Sequence, residues 1–102
     1  MPMKNIGGMV LSEDYLPLGS IVILKKMAKK VMIISRVLKV NEKGTLKEYD
    51  YAGCGYPEGL MGDRILFFNH DNIEEVYFSG CDDDENKKIA DILKEYKKEK
   101  EK

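Results

Sequence analysis

The sequence predicts an α+β fold in which a small, strongly bent antiparallel sheet of about five strands, similar to an open barrel, carries a C-terminal amphipathic helix. Two observations support this fold class. Apolar runs rich in β-branched and aromatic residues recur at near-regular spacing between turn residues. Beyond residue 81, apolar residues instead recur with the period of a helix. With 102 residues and 43% hydrophobic content, the chain is expected to form a single domain over residues 1–102.

The β-rich core is predicted to span residues 16–80. Residues 1–15 form a weakly patterned leader, which is expected either to be partly disordered or to add an edge strand. Two strongly apolar runs, at 20–24 and 31–40, flank the polar and basic segment 25–30. This arrangement predicts an antiparallel hairpin whose loop is longer than two residues.

Three further strands are predicted after that hairpin. The turn sequence NEKG at 41–44 leads into a third strand over 45–52. A short apolar strand follows at 65–68, and the turn sequence NHDN at 69–72 separates it from a fifth strand at 73–78. The spacing of these runs leaves the order of the strands in space open.

A C-terminal helix is predicted over residues 82–98. Its apolar stripe has the i, i+3, i+4, i+7 spacing of an amphipathic helix and consists of Ile89, Ile92, Leu93 and Tyr96. Asp82, with Glu85 three residues later, is expected to form an N-terminal cap similar to a capping box. We interpret the stripe as facing the core, with a partner surface as the alternative.

Composition indicates a cytoplasmic protein with reduced thiols. Cys54 and Cys81 form no CxxC pair, and the N-terminal residues lack the pattern of a secretory signal. No apolar run approaches the ~20 residues needed to span a bilayer. The net charge is −1, but residues 1–40 carry +5 and residues 41–102 carry −6, so surfaces of opposite charge are expected.

The segment 49–70, YDYAGCGYPEGLMGDRILFFNH, contains most of the residues that core building does not require. Residues 56–59, YPEG, predict a four-residue β-turn with proline at its second position. Four glycines interrupt the strand pattern and predict bulges and turns: Gly53, Gly55, Gly59 and Gly62.

Three tyrosines of this segment are candidates for a binding surface. Regular alternation places Tyr49 and Tyr51 on one strand face, whereas Tyr56 lies beyond the first glycines. Large, rigid aromatic side chains on a stiff loop make good binding surface, because ordering them costs little entropy. Packing of the same rings in the core is the alternative interpretation.

Other chemistries fit the sequence less well. Cys54 and His70 could act as nucleophile and base, but no complete catalytic constellation is present. A metal site built from Cys54, Cys81 and His70 lacks the paired ligand spacing of zinc sites. The acidic run at 82–85 fits helix capping better than a calcium loop, and the basic segment 25–30 fits a solvated loop better than a phosphate contact. No cofactor, nucleic acid or membrane partner is therefore expected.

Two motifs give the sequence a family resemblance. These are YDYxGxxYPEG at residues 49–59 and FFNHxxI at residues 67–73, and they follow the run LPLGSIVILK at 16–25. Together they resemble a small-protein family of unknown function that is encoded beside LXG polymorphic toxins of the bacterial type VII secretion system. The resemblance covers about residues 16–95. It implies a cytoplasmic accessory protein of a Gram-positive bacterium that holds a toxin before export, as a chaperone or targeting factor.

The resemblance and the aromatic segment together indicate a non-enzymatic protein-binding module with a protein partner. An immunity protein that neutralises the toxin is the first alternative, and a Cys/His hydrolase or nucleic-acid-acting protein is the second. An exposed edge strand could also recruit a partner strand. The candidate protein-binding residues are Tyr51, Tyr56, Pro57, Glu58, Phe67 and His70.

Overall fold

A computed structural model describes residues 15–100 of the chain. The predicted leader therefore lies, apart from Tyr15, outside the described residues. The elements within the described range are β1 (Ile21–Leu24), β2 (Lys30–Glu42), β3 (Thr45–Tyr56), β4 (Leu66–Phe68), a 3-10 helix (His70–Asn72), β5 (Ile73–Phe78) and α1 (Asp84–Lys100).

The described strands form one antiparallel sheet in the order β4-β3-β2-β1-β5, which is not closed into a barrel. The predicted hairpin is the β1–β2 pair, in which Val22 lies opposite Val31. Residues 25–29 connect β1 to β2. On its other side β1 pairs with β5, which forms the edge of the sheet opposite β4. The predicted α+β class, an antiparallel sheet with a C-terminal helix, is confirmed.

Strands β2 and β3 are longer than the sequence predicts. β2 extends beyond the predicted run at 31–40 at both ends. β3 was expected to end at residue 52, but it continues through Gly53 and Gly55 to Tyr56. The glycines therefore do not break the strand. The expected bulge lies on the other strand instead, where the β2–β3 register shifts between Ile33 and Ser35.

Gly53 shows why a glycine belongs inside this strand. A Cβ atom at Gly53 would lie 2.6 Å from Cγ1 of Val31 and 2.7 Å from the carbonyl oxygen of Met32. Both distances are shorter than real Cβ atoms tolerate, so the missing side chain lets β2 and β3 approach closely. A Cβ there would also lie 3.3 Å from the ring of Phe68, so Gly53 faces the core.

The core lies on one face of the sheet. Successive strand residues point to opposite faces, and alternate positions on each strand supply the buried side chains. Tyr15 and Leu16, which precede β1, pack over this face and are also buried. The remaining members of the cluster are Val22, Leu24, Val31, Ile33, Tyr51, Phe68, Ile73 and Val76.

Helix α1 docks on the core side of the sheet through both apolar and polar contacts. Leu93 packs against the core cluster. Arg36 Nη1 on β2 donates to Asn86 Oδ1 at 2.9 Å, and Lys97 Nζ donates to Asp50 Oδ1 on β3 at 3.1 Å. The interpretation that the whole apolar stripe faces the core is therefore wrong. Three of its members are substantially exposed, namely Ile89, Ile92 and Tyr96.

The N-terminal cap of α1 is one residue later than predicted. The helix begins at Asp84, and the backbone N–H of Asn86 donates to Asp83 Oδ1 at 2.9 Å. Asp83, not Asp82, is therefore the capping residue, and Asn86 takes the third helical position that the capping box assigned to Glu85. Asp82 instead accepts from Asn86 Nδ2 at 2.8 Å.

Replacing Gly53 by alanine tests the close packing of β2 against β3. We expect Gly53→Ala to lower the free energy of unfolding by about 1–3 kcal/mol, because the new methyl group overlaps Val31 and the backbone of Met32. Urea unfolding followed by far-UV circular dichroism measures the change. Gly55→Ala is the matched control, since the nearest atom there is the flexible Lys29 Cε at 3.2 Å. Equal stability of the two variants would contradict the close-packing argument.

Candidate functional site

The predicted site residues divide into a buried group and an exposed group. Tyr51 is completely buried and His70 is 6% exposed. Tyr56 and Phe67 are 39% and 37% exposed, and Pro57 and Glu58 are exposed as well. A partner that docks on the surface would therefore touch the second group and not the first.

Tyr51 and His70 form a hydrogen-bonded pair inside the protein. The Tyr51 hydroxyl oxygen accepts from the backbone N–H of Leu16 at 2.9 Å and lies 3.2 Å from His70 Nδ1. The Tyr15 ring lies over both, with its centroid 5.9 Å from that of Tyr51 and 5.1 Å from that of His70. This pair therefore fastens the segment before β1 to β3 and to the 3-10 helix.

Asp50 extends this pair into a network. Its Oδ2 accepts from the backbone N–H of His70 at 2.9 Å, and its own N–H donates to Asn69 Oδ1 at 2.8 Å. Its Oδ1 accepts from Lys97 on α1. The YDY and FFNH motifs thus meet in space as one polar network, which joins β3, the 3-10 helix and α1. We call Asp50, Tyr51, Asn69, His70 and Lys97 the internal network.

Burial raises the pKa of the Tyr51 hydroxyl above the usual tyrosine value. Desolvation is the main cause, and the nearby Asp50 carboxylate adds to it, while the hydrogen bond from Leu16 acts in the opposite direction. The phenol therefore stays neutral wherever the protein is folded near neutral pH.

The exposed group lies at one edge of the sheet, at the end of β3, on the loop that follows it and on β4. Three large apolar side chains that sequence analysis did not single out accompany Tyr56 and Phe67 there. We call this set the β4-edge surface; it consists of Tyr56, Leu60, Met61, Leu66 and Phe67, all 37% exposed or more. Leu60 and Met61 lie between two turn glycines, and apolar residues inside a turn-rich loop are the signal that could have revealed them.

The loop at the start of this surface is held by an ion pair between Lys29 and Glu58. The Lys29 ammonium lowers the pKa of the Glu58 carboxyl, chiefly through their hydrogen bond. The predicted four-residue turn at 56–59 is wrong in detail. The Tyr56–Pro57 peptide bond is cis, and the turn is closed by the Gly59 N–H, which donates to the Gly55 carbonyl at 2.8 Å. Gly59 takes φ +84°, a conformation that favours glycine.

Phe67 is supported from the side by Tyr49, since their rings stack with centroids 5.5 Å apart. Tyr51 instead packs on Phe68 in the core. Because Phe67 and Phe68 are neighbours on one strand, they point to opposite faces. The prediction that Tyr49 and Tyr51 share a face is therefore wrong. Regular alternation is interrupted opposite Asp50, where Val37 on β2 takes φ +52°.

Cys54 and His70 are not brought together by the fold. Gly53 faces the core, so the next residue, Cys54, points to the opposite face of β3 from the pair formed by Tyr51 and His70. Within residues 15–100, no group of three or more His, Cys, Asp or Glu side chains is placed to hold a metal ion. In the basic segment 25–30, Lys29 is paired with Glu58, and Lys30 Nζ lies 4.0 Å from the centroid of the Tyr77 ring.

The internal network can be tested by removing one hydroxyl group. We expect Tyr51→Phe to lower the free energy of unfolding by about 1–3 kcal/mol, because the Leu16 N–H and the His70 ring lose a buried hydrogen-bond partner. Urea unfolding measures the change. Tyr56→Phe is the control, because its hydroxyl belongs to a surface residue and its loss should change stability by less than ~0.5 kcal/mol. Equal effects of the two substitutions would contradict a structural role for the network.

The raised pKa of Tyr51 also predicts a dependence on pH. In the unfolded chain, tyrosine loses its proton near pH 10, whereas the folded protein retains it at Tyr51. Above pH 10 the unfolded state therefore binds fewer protons, so stability falls as pH rises. The stability advantage of the wild-type protein over Tyr51→Phe should be constant from pH 7 to pH 9 and shrink between pH 10 and pH 11. An advantage that does not change with pH would exclude a buried, neutral phenol.

Comparison with known proteins identifies the family. No curated protein and no solved structure matches the chain. In the described part of the chain, no helix is both long enough and apolar enough to cross a membrane. The model of a family described as a domain of unknown function, DUF4176, matches residues 15–89, a range that includes all five strands and, of the internal network, every member except Lys97. It also includes the complete β4-edge surface. The chain therefore belongs to the DUF4176 family of domains of unknown function.

Proposed function

We propose that this protein is a non-catalytic protein-binding module, and that it acts in the cytoplasm as a chaperone or targeting factor for an LXG toxin exported by type VII secretion. One observation carries the binding role: the β4-edge surface exposes five large apolar side chains at one edge of the sheet, with Leu66 and Phe67 on its two faces. The identity of the partner rests on the sequence resemblance described above.

The composition of this surface is that of a protein interface. Aromatic residues and methionine are enriched where proteins bind one another, and the β4-edge surface contains two aromatic rings and one methionine. Each large apolar side chain that a partner covers contributes favourable free energy in proportion to the area removed from water. The exposed side chains are therefore the part of the predicted site that can supply affinity.

The frame around this surface is fixed before a partner arrives. Phe67 stacks on Tyr49, and the loop that begins at Tyr56 is tied to the neighbouring turn by the Lys29–Glu58 ion pair. A preorganised surface loses less conformational entropy on binding than a mobile one. Pro57 and Glu58 then serve to hold the loop, while Tyr56 and Phe67 provide contact area.

Tyr51 and His70 support this surface from inside. Tyr51 packs on Phe68, the strand neighbour of Phe67, and hydrogen-bonds His70. Substitutions at these two positions would change binding through the fold and would lower stability at the same time. Substitutions on the β4-edge surface would change binding more than stability, because these side chains are partly exposed.

The proposed mechanism is stoichiometric. The module covers an apolar part of the toxin outside its toxic domain and keeps the toxin soluble until export. It requires neither a cofactor nor nucleic acid nor a membrane. An immunity protein would instead have to occupy the toxic domain, which gives the two functions different binding requirements.

Co-expression with an LXG toxin tests the proposal. The tagged full chain is expected to recover the full-length toxin at a fixed ratio and to leave the isolated toxic domain unbound. Phe67→Ala and Tyr56→Ala should each weaken toxin binding about tenfold or more, equivalent to ~1.4 kcal/mol. Leu46→Ala is the matched control, because Leu46 is 65% exposed but lies near the tip of the β2–β3 hairpin.

Each other result has a definite meaning. Recovery of the isolated toxic domain would favour an immunity protein over a chaperone. Recovery of neither protein would contradict the toxin as partner. If Phe67→Ala and Leu46→Ala bind the toxin equally well, the β4-edge surface is not the interface.

A further inference from the structure

A second exposed apolar surface lies on α1, away from the residues of the β4-edge surface. Ile89 is 47% exposed, Ile92 61% and Tyr96 37%. These residues are spaced at i, i+3 and i+7, so they form a continuous stripe over about two helical turns, or ~10 Å. Leu93 turns away from this stripe toward the core.

The stripe borders an open groove between α1 and the sheet. The groove has a volume of about 510 Å³. On the helix side it is lined by Ile92, Leu93 and Tyr96, and on the sheet side by Val37, Lys39 and Glu48. Lys39 and Glu48 are cross-strand partners of opposite charge, so the sheet wall adds no net charge to the groove.

The outer side of the stripe is acidic. At 100° per residue, the exposed side chains that follow the stripe around α1 are mainly carboxylates. In order from Ile92 they are Glu99, Lys88, Glu95, Asp84 and Asp91, with Lys88 as the one cation among them in the described helix, while Glu85 lies in line with the stripe, one turn before Ile89. The exposed lysines Lys87 and Lys98 lie farther around the helix, on its other side. The apolar stripe is therefore flanked by negative charge.

We infer that this face of α1 binds an amphipathic helix of a partner protein whose apolar stripe is flanked by lysine or arginine residues. An amphipathic helix buries residues spaced at i, i+3, i+4 and i+7 in such a groove. Basic residues beside its apolar stripe would meet Glu95, Glu99 and Asp91, and complementary charge favours both the encounter and the orientation of the two helices.

The same charges disfavour two other occupants. An antiparallel pair of two copies of this chain, centred on Ile92, would place Glu85 of one copy opposite Glu99 of the other, and like charges at that distance repel. An anionic membrane surface would be repelled by the same carboxylates, since such surfaces attract lysine and arginine. An amphipathic helix with basic flanks is therefore the occupant that complements both the apolar stripe and the carboxylates beside it.

This inference does not depend on the function proposed above, because it concerns different residues. Two synthetic 18-residue peptides test it. Both carry the same leucine stripe at helical spacing, and the flanking positions are lysine in one peptide and glutamate in the other. Binding of each fluorescein-labelled peptide to the full chain is measured by fluorescence anisotropy at 50 and 300 mM salt.

We expect the lysine peptide to bind at least tenfold more tightly than the glutamate peptide, and the difference to shrink at the higher salt concentration. The double variant Ile89→Ala with Ile92→Ala should weaken binding of the lysine peptide at least fivefold. The charge reversal Glu95→Lys should weaken it severalfold. Glu74→Lys is the matched control, because Glu74 is an exposed carboxylate on β5, and it should leave binding unchanged.

Three outcomes would overturn the inference: equal binding of the two peptides, binding of neither peptide, or an effect of Glu74→Lys as large as that of Glu95→Lys. Sedimentation of the chain alone provides the remaining check. Self-association that disappears in the Ile89→Ala, Ile92→Ala variant would assign the face to a second copy of the chain. The substituted side chains are exposed, and circular dichroism confirms that each variant is folded before binding is measured.

Discussion

The hydrogen bonds of Asp50 and Tyr51 are the constraint on which the rest of this structure depends. Asp50 joins β3 to the 3-10 helix and to Lys97 of α1, and Tyr51 joins β3 to His70 and to the backbone of Leu16. Both residues lie in the middle of β3 and are largely buried, and an unpaired polar group would be costly there. The YDY and FFNH motifs are thus, in large part, the pattern of a buried network.

Much of the fold could be predicted from the sequence because its elements are strongly patterned. The bounds of β5 agree with the prediction, and the β1–β2 hairpin follows from two apolar runs around a polar segment. The end of β3 could not be predicted, because a glycine at position 53 is compatible both with the end of a strand and with its continuation. A glycine ends a strand where a turn is needed, and it continues a strand where a neighbour comes too close for a Cβ atom. That choice depends on Val31 and Met32, which the local sequence does not place beside it.

The candidate site was predictable as a region, but its two halves could not be separated from the sequence. Tyr51 and Phe67 both lie in the motifs that suggested a site, yet one is buried and the other is exposed. The separation depends on the irregularity at Val37, which changes the side of the sheet on which Tyr49 lies. Such an irregularity is set by the pairing of two strands, so alternation within β3 alone gives the wrong face for Tyr49.

The orientation of α1 follows from the same network and leads to its exposed stripe. Asn86, Leu93 and Lys97 point toward the sheet, and this choice turns Ile89 and Ile92 outward. Full burial of one such side chain is worth ~1.5–3 kcal/mol, so the helix forgoes apolar burial in favour of polar contacts to Arg36 and Asp50. A partner that covers the stripe would recover that free energy without disturbing either contact. The polar contacts that orient the helix on the sheet therefore also leave its apolar stripe exposed.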